Sequence, residues 1–251
     1  MVFEVLKKGG IAIIPADVGY GIVAIDPEAL TRIFLTKQRQ PNKRHAMIGS
    51  YALHCALHVL SPTERSMVKL LSVDLDVPIG VVAPYQSDHP IIRKIPAETL
   101  AQCVVAGTIA MLVNGGALQE ELSRLATTEE LPLMGSSANM TGKGTKSEVE
   151  SIEPEILSVA DIIIDYGKQK FHHPRLSSTM INFTTCTVLR YGACYDVLQD
   201  ALWRFYGVRI PDDPGKSVLP SGHRVDKTDT FNYHGSSALG YPFSSSPRGR
   251  P

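Results

Sequence analysis

Lys37-Gln38-Arg39-Gln40-Pro41-Asn42-Lys43-Arg44-His45 places four cations within eight residues. Such a run makes a strong local positive field. Arginine offers a phosphate two parallel N–H donors, and lysine offers a compact charge. The same charges also suit a plain solvated loop. A second cluster, Gly135-Ser136-Ser137-Ala138-Asn139-Met140-Thr141-Gly142, follows the apolar Leu131-Pro132-Leu133-Met134. Its small residues let the backbone come close to a ligand, and its amides and hydroxyls suit phosphate oxygens. It lacks the Gly-Lys-Ser/Thr ending of a Walker A loop and the Gly-x-Ser-x-Gly of a nucleophile elbow, and it also reads as an ordinary Ser/Asn turn. A third cluster is Leu176-Ser177-Ser178-Thr179-Met180-Ile181-Asn182, with Val188-Leu189-Arg190-Tyr191-Gly192-Ala193 downstream. Hydroxyls at a strand start and a later arginine can close a phosphate pocket. Asp17, which follows an apolar segment and Pro15, reads as a functional acid or as a turn-capping one.

Composition bounds what these clusters can mean. The 251 residues hold 25 Lys plus Arg and 25 Asp plus Glu, so no bulk basic surface argues for nucleic acid. No apolar run reaches the ~18 residues that a membrane helix needs. Met1-Val2-Phe3-Glu4 has no basic segment leading into an apolar one, so no secretory signal is read and a cytoplasmic protein with reduced thiols is expected. Cys55, Cys103, Cys186 and Cys194 have no CxxC spacing, which leaves zinc unsupported and buried, inert thiols as the expectation. His172 and His173 are adjacent, so on a strand they face opposite ways, and no metal is predicted. Trp203 falls with Leu198, Leu202 and Tyr206 at helical spacing and is expected in the core.

The elements that must position the clusters alternate between the two periodicities. Ile11–Ile14 reads as a buried strand stopped by Pro15. Residues 27–37 read as a helix with Pro27 in its first turn, and another begins at Ser61-Pro62-Thr63-Glu64, where Ser61 can cap. Strands are predicted over 79–83, 108–113, 131–134, 161–164, 179–183 and 187–190, and helices over 152–160 and 195–206. The pattern predicts an α/β fold with a twisted mixed sheet flanked by helices over residues 1–210. Residues 211–251 are rich in Pro, Gly and Ser and read as a loosely ordered tail. Each cluster adjoins a predicted strand end, where open α/β sheets place their ligand crevice.

Taken in order, the segments resemble the Sua5/YciO/YrdC family. Pro15-Ala16-Asp17-Val18-Gly19-Tyr20-Gly21-Ile22 is similar to its Pro-Thr-Asp-Thr-x-Tyr-Gly-Leu turn. Lys37-Gln38-Arg39 matches Lys-x-Arg, and Ser137-Ala138-Asn139-Met140-Thr141-Gly142 matches Ser-Ala-Asn-x-Ser/Thr-Gly. Ser178-Thr179-Met180 and Leu189-Arg190-Tyr191-Gly192 match the late Ser-Thr-Val and Leu-Arg-x-Gly. The resemblance spans about residues 3–200. It implies an open, positively charged central cavity and a nucleotidyltransferase that makes threonylcarbamoyl-adenylate from ATP, L-threonine and bicarbonate. Mg2+ usually accompanies the triphosphate. The product serves tRNA modification, and RNA or its modifying machinery are implied partners. Lys37 and Arg39 would be the catalytic cations. Lys43, Ser137, Asn139, Ser178 and Arg190 would hold nucleotide and phosphates, and Asp17, Tyr20 and Thr179 would serve the small substrate.

Several positions depart from that pattern. Ala16 and Val18 stand where the family has two threonine hydroxyls, and Leu112 stands where a strand arginine is expected. Losing one charge-assisted contact removes about 1.5–3 kcal/mol. Three readings follow: the ATP-dependent synthase; a diverged enzyme acting on another small carboxylate-bearing substrate of a biosynthetic pathway without ATP; and an RNA- or nucleotide-binding module.

Overall fold

The structure, a computed structural model, describes residues 1–38, 44–172 and 176–215. Arg39, Lys43, His173 and the tail from residue 216 lie outside the described residues. The helices are α1 (Val2–Lys7), α2 (Pro27–Thr36), α3 (Tyr51–Leu57), α4 (Pro62–Lys69), α5 (Pro90–Arg93), α6 (Ala97–Ala101), α7 (Ala117–Thr128), α8 (Pro154–Ser158) and α9 (Tyr195–Tyr206). The strands are β1 (Ala12–Ala16), β2 (Gly19–Ala24), β3 (Ala46–Ile48), β4 (Ile79–Pro84), β5 (Val104–Val105), β6 (Thr108–Val113), β7 (Met134–Ser137), β8 (Ile162–Ile163), β9 (Thr179–Asn182) and β10 (Thr187–Arg190). They form one mixed sheet in the order β10-β9-β4-β6-β3-β7-β2-β1-β8, with β5 beside β6. The α/β class and the mixed twisted sheet flanked by helices are as the sequence predicts.

Local chemistry explains the element ends. The Asp26 carboxylate accepts from the Glu28 and Ala29 amides, and Pro27 follows it to open α2. At α4 the Ser61 hydroxyl accepts from Glu64 N while the Glu64 carboxylate accepts from Ser61 N, a reciprocal cap. Two strand predictions are shifted. β1 runs through Pro15 instead of stopping before it. Ile11 and Ile13 offer their carbonyls to Asp161 and Ile164, so Pro15, two residues on, faces the same side beyond the end of β8, where no donor is needed. The strand expected over 131–134 lies over Met134–Ser137 instead. Leu133 has joined the second apolar cluster, and the Gly-Ser-Ser segment pairs with β2.

Each central strand divides its residues between two faces. Ile13, Ile22, Met47, Val81, Met111 and Ile181 fill the larger core, against α2, α3, α4 and α9. Ile14, Val23 and Ile48 face the other way and pack with α1 and α7 through Phe3, Leu6, Leu122 and Ala126. Trp203 corrects the prediction of a core residue. It is 47% exposed, and the Arg209 guanidinium lies 4.2 Å from its ring centre. Leu198 and Leu202, on the adjoining face of α9, take the buried positions. All four cysteines are free thiols; Cys103 is buried and the other three are half-buried, which corrects the expectation of full burial. The chain after α9 folds back, and the Gln199 side-chain amide donates to Pro211 O at 3.1 Å.

One buried pair sets a pH limit on this core. His54 and His58 are nearly inaccessible, with their Nδ1 atoms 2.8 Å apart. Burial, and then the charge of Arg65, lowers the His54 pKa to about 4. Burial and the His54 neighbour lower His58 to about 3, against a small opposing effect from the Ile109 carbonyl. Both stay neutral in the fold but take up protons once unfolded. Stability is therefore full above about pH 6.5 and is lost as pH falls toward about 4, by roughly 1 kcal/mol per pH unit per histidine. Thermal unfolding at pH 7, 6 and 5 should show this slope, and a His54→Leu/His58→Leu variant should flatten it. An unchanged slope in the double variant would assign the acid sensitivity elsewhere.

Candidate functional site

The cavity is made by the small side chains on one face of the sheet. Register aligns Ile48 with Leu112, Leu112 with Gly80, and Gly80 with Met180. A second row joins Ile14, Gly21 and Ser137, and a third joins Val23, Gly135 and Ala46. All of these residues line one hollow of about 450 Å3. Gly135 keeps the floor low: a Cβ there would come within 2.7 Å of Ile22 O and 2.8 Å of Val23 Cγ1. The described lining holds the cations Lys37, Arg44 and Arg190 and no carboxylate. A chain with no net charge thus places only positive charge in its cavity.

Arg190 is a half-buried cation whose guanidinium is turned inward. Its Nε donates to Ser178 O at 2.8 Å and its Nη2 to Ser178 Oγ at 2.9 Å. Burial alone lowers its pKa to about 10, which leaves it charged at neutral pH. Among the described residues no carboxylate neutralises it. A buried charge without a counter-ion is costly, so an anionic ligand in the cavity gains more here than at an exposed arginine. The approach to Ser178 is held open by backbone. Ser177 lies in the left-handed region (φ 68), its N–H donates to Val18 O, and Ala193 N donates to Ser177 O. Gly192 crosses so close to Ser178 that a Cβ would meet the Ser178 carbonyl carbon at 2.3 Å.

The serine-asparagine cluster forms the opposite wall. Ser137 ends β7, and the chain turns through Ala138 and Asn139. The Lys37 ammonium, buried where α2 ends, donates to the backbone carbonyls of Ser137 and Asn139. Lys37 therefore fixes the shape of this loop from beneath. Thr141 Oγ1 donates back to Lys37 O at 2.8 Å. The Asn139 amide donates to Met140 O, while Asn139 Oδ1 and Ser136 Oγ are buried and have no hydrogen-bond partner. Both are polar groups a ligand can satisfy. Lys146 and Glu153, 2.8 Å apart, brace the far side of the loop, and burial, against the Lys146 and Met140 hydrogen bonds, sets the balance that leaves Glu153 below its usual range.

Lys37, Ser137, Asn139, Ser178 and Arg190 are therefore brought to one cavity, as the sequence motifs imply. Three predicted small-substrate residues are placed differently. Thr179 is fully buried and lies outside the lining; its hydroxyl donates to Ala193 O and accepts from Gly192 N. Asp17 is also outside the lining, 3.6 Å from the Lys170 ammonium. Tyr20 borders the cavity, but its hydroxyl lies on the opposite face of the sheet, against Asp165, Gly167 and the Tyr166 amide. Adjacent strand residues point to opposite faces, and Gly21 is the one above the cavity. Arg44 and Gln119 line the cavity although neither was singled out as a ligand group. Arg44 belongs to the first cationic run; for Gln119, inside a helix with no motif, the sequence offers no signal. No group of three or more potential metal ligands occurs among the described residues, and no described helix is long and apolar enough to cross a membrane.

A mixed sheet with small residues over one face and cations at the edge of the hollow defines an α/β protein with an open central cavity. The sequence profile of the Sua5_yciO_yrdC family, described as telomere recombination, matches residues 4–192, and the chain belongs to that family. It is 27% identical over 186 residues to a putative threonylcarbamoyl-AMP synthase of Methanocaldococcus jannaschii, covering 69% of this chain and 77% of that protein. The hypothetical protein smu.1377c from Streptococcus mutans UA159 has the same fold, with a TM-score of 0.61 and 21% identity, over 83% of this chain and 91% of that one. So has P. abyssi Sua5 complexed with L-threonine, with a TM-score of 0.63 and 21% identity, over 86% of this chain and 60% of that one.

The position of Lys37 predicts a structural cost. Removing its ammonium takes a donor from the buried Asn139 carbonyl and leaves Ser137 O with the Asn139 amide, so Lys37→Ala should lower unfolding free energy by about 1–3 kcal/mol in urea titrations without any ligand. A midpoint equal to the wild type would instead leave Lys37 a solvated, ligand-facing cation.

Proposed function

We propose that this protein is an ATP-dependent synthase of a carbamoyl-adenylate. It would use a small amino acid and bicarbonate, in the manner suggested by the name of its M. jannaschii relative. The observation that carries the reading is that the charged residues of the described lining are all Lys or Arg, with Arg190 half-buried and without a carboxylate partner among the described residues. In the reaction the amino nitrogen takes up the carbon of bicarbonate to give a carbamate, with loss of water. A carbamate oxygen then attacks the α-phosphorus, the bond from Pα to the bridging oxygen breaks, and pyrophosphate leaves with the electron pair. Charge builds on phosphate oxygens, and fixed cations meet it without reorganising. A lining without carboxylates suits this chemistry, which needs positive charge more than a protein base.

Arg190 and Ser178 would bind phosphate oxygens on one wall. Ser136, Ser137 and Asn139 would bind nucleotide oxygens or N–H groups on the other, in the loop that Lys37 holds. The described lining builds no Mg2+ site of its own, since it offers hydroxyls and amides but no carboxylate. The reading without ATP uses the same Arg190 to bind a carboxylate. A binding titration of ATP followed by a pyrophosphate-release assay separates the two. The expected result is release that requires ATP, amino acid and bicarbonate together. Arg190→Ala should lower kcat/KM by about 10- to 100-fold, the equivalent of about 1.5–3 kcal/mol. Folded protein that binds no ATP would overturn the synthase reading and favour the small-carboxylate enzyme.

A further inference from the structure

We infer that the small co-substrate carries an aliphatic side chain, matched to valine better than to threonine; the inference rests on the proposed synthase reading and names the substrate class of that same site. The wall next to Arg190 is apolar. Ala16, Val18 and Ala193 are buried together, and Leu112 packs against them as well as against the α7 cluster. Ala16, Val18 and Leu112 all line the cavity, with Ile48 beside Leu112 in the strand register.

This wall and the anion site share backbone. Val18 O accepts from Ser177 N, and the Ser178 segment bridges to Ala193. A group lying on the wall is therefore next to whatever Arg190 and Ser178 bind. Adenine is a ribose away from the reacting phosphate, so the neighbouring group belongs to the acceptor molecule, the amino acid.

The hydroxyls nearest the wall already have partners, and the proton left on Ser178 faces the proposed phosphate. Ser177 Oγ and Thr145 Oγ1 bond each other, Ser178 Oγ accepts from Arg190, and the Thr179 hydroxyl bonds Ala193 O and Gly192 N. Gln119 supplies a further acceptor: its Nε2 donates to Gly49 O and Leu112 O, and its Oε1 has no partner among the described residues. That oxygen lies against Gly115, where a Cβ would meet it at 1.9 Å. A threonine hydroxyl placed against this wall exchanges water for the methyl groups of Ala16, Val18 and Leu112. Valine fills the same volume with a methyl group.

An apolar pocket separates such isosteres by about 10- to 100-fold. Pyrophosphate release with ATP and bicarbonate should accordingly give valine a kcat/KM that much above threonine's, and Val18→Thr should narrow the gap. Threonine equal to or better than valine in the wild type would overturn the inference while leaving the synthase reading intact. A threonine preference abolished by Gln119→Leu would do the same and would identify where the hydroxyl bonds. If no amino acid supports release, the synthase reading fails, and calorimetric titration of valine and threonine into the protein without ATP decides the inference alone. Tighter valine supports it; tighter threonine, or no binding of either, overturns it.

Discussion

A strand that crosses the middle of a sheet has two faces, and here the two are given opposite tasks. One face carries Ile, Met, Val and Tyr into the main core. The other carries Gly21, Ala46, Gly80, Ala110, Gly135 and Ser137, whose small side chains leave a hollow. Period-two alternation ties the tasks together. A one-residue slip in β6 would turn Met111 into the cavity and Leu112 into the core, removing the floor and a core contact at once. Register is held by pairing on both sides: β6 lies between β4 and β3, and β2 between β1 and β7. The site is thus a by-product of a correctly registered core.

The charge arrangement follows from that hollow. A buried guanidinium is expensive in a packed interior, but at the edge of an open cavity it keeps contact with solvent or ligand on one side. Arg190 fulfils this condition because β10 ends beside the hollow and Gly192 lets the chain cross tightly behind Ser178. Several acidic residues are engaged elsewhere. Asp17 and Asp76 both lie within 4 Å of the Lys170 ammonium, and Asp165 is occupied by Tyr20. These three carboxylates lie outside the described lining of the cavity.

Elements whose own residues decide them were legible in the sequence. The Thr108–Val113 and Thr187–Arg190 strands and the Tyr195–Tyr206 helix coincide with their predicted ranges, and Ser61 caps α4 as its type and spacing suggest. What was not legible depends on tertiary contacts. Pro15 reads as a strand stop until β8 is known to end early. Trp203 shares a helical turn with Leu202, but only packing shows which side of α9 faces the core. The flanking helices α1 and α7 escaped the reading, α7 because Gly116 begins it without a side-chain cap. In the site, the motifs located the right walls but not the atoms. Tyr20 and Gly21 are neighbours in one motif and face opposite sides of the sheet.

That separation between motif and atom changes what a retained residue means. Lys37 survives beneath the Ser137–Asn139 loop, where its ammonium satisfies two carbonyls, so the fold requires it whatever the ligand is. Arg190 satisfies a carbonyl and a hydroxyl of Ser178 but carries a charge that no described carboxylate neutralises, so its retention points to an anion. Ala16, Val18 and Leu112, the three departures from the motif pattern, form one continuous surface, with Leu112 joining the clusters on its two sides. A cation on one side of the cavity and methyl groups on the other would let the fold keep one contact while the other sets what fits beside it.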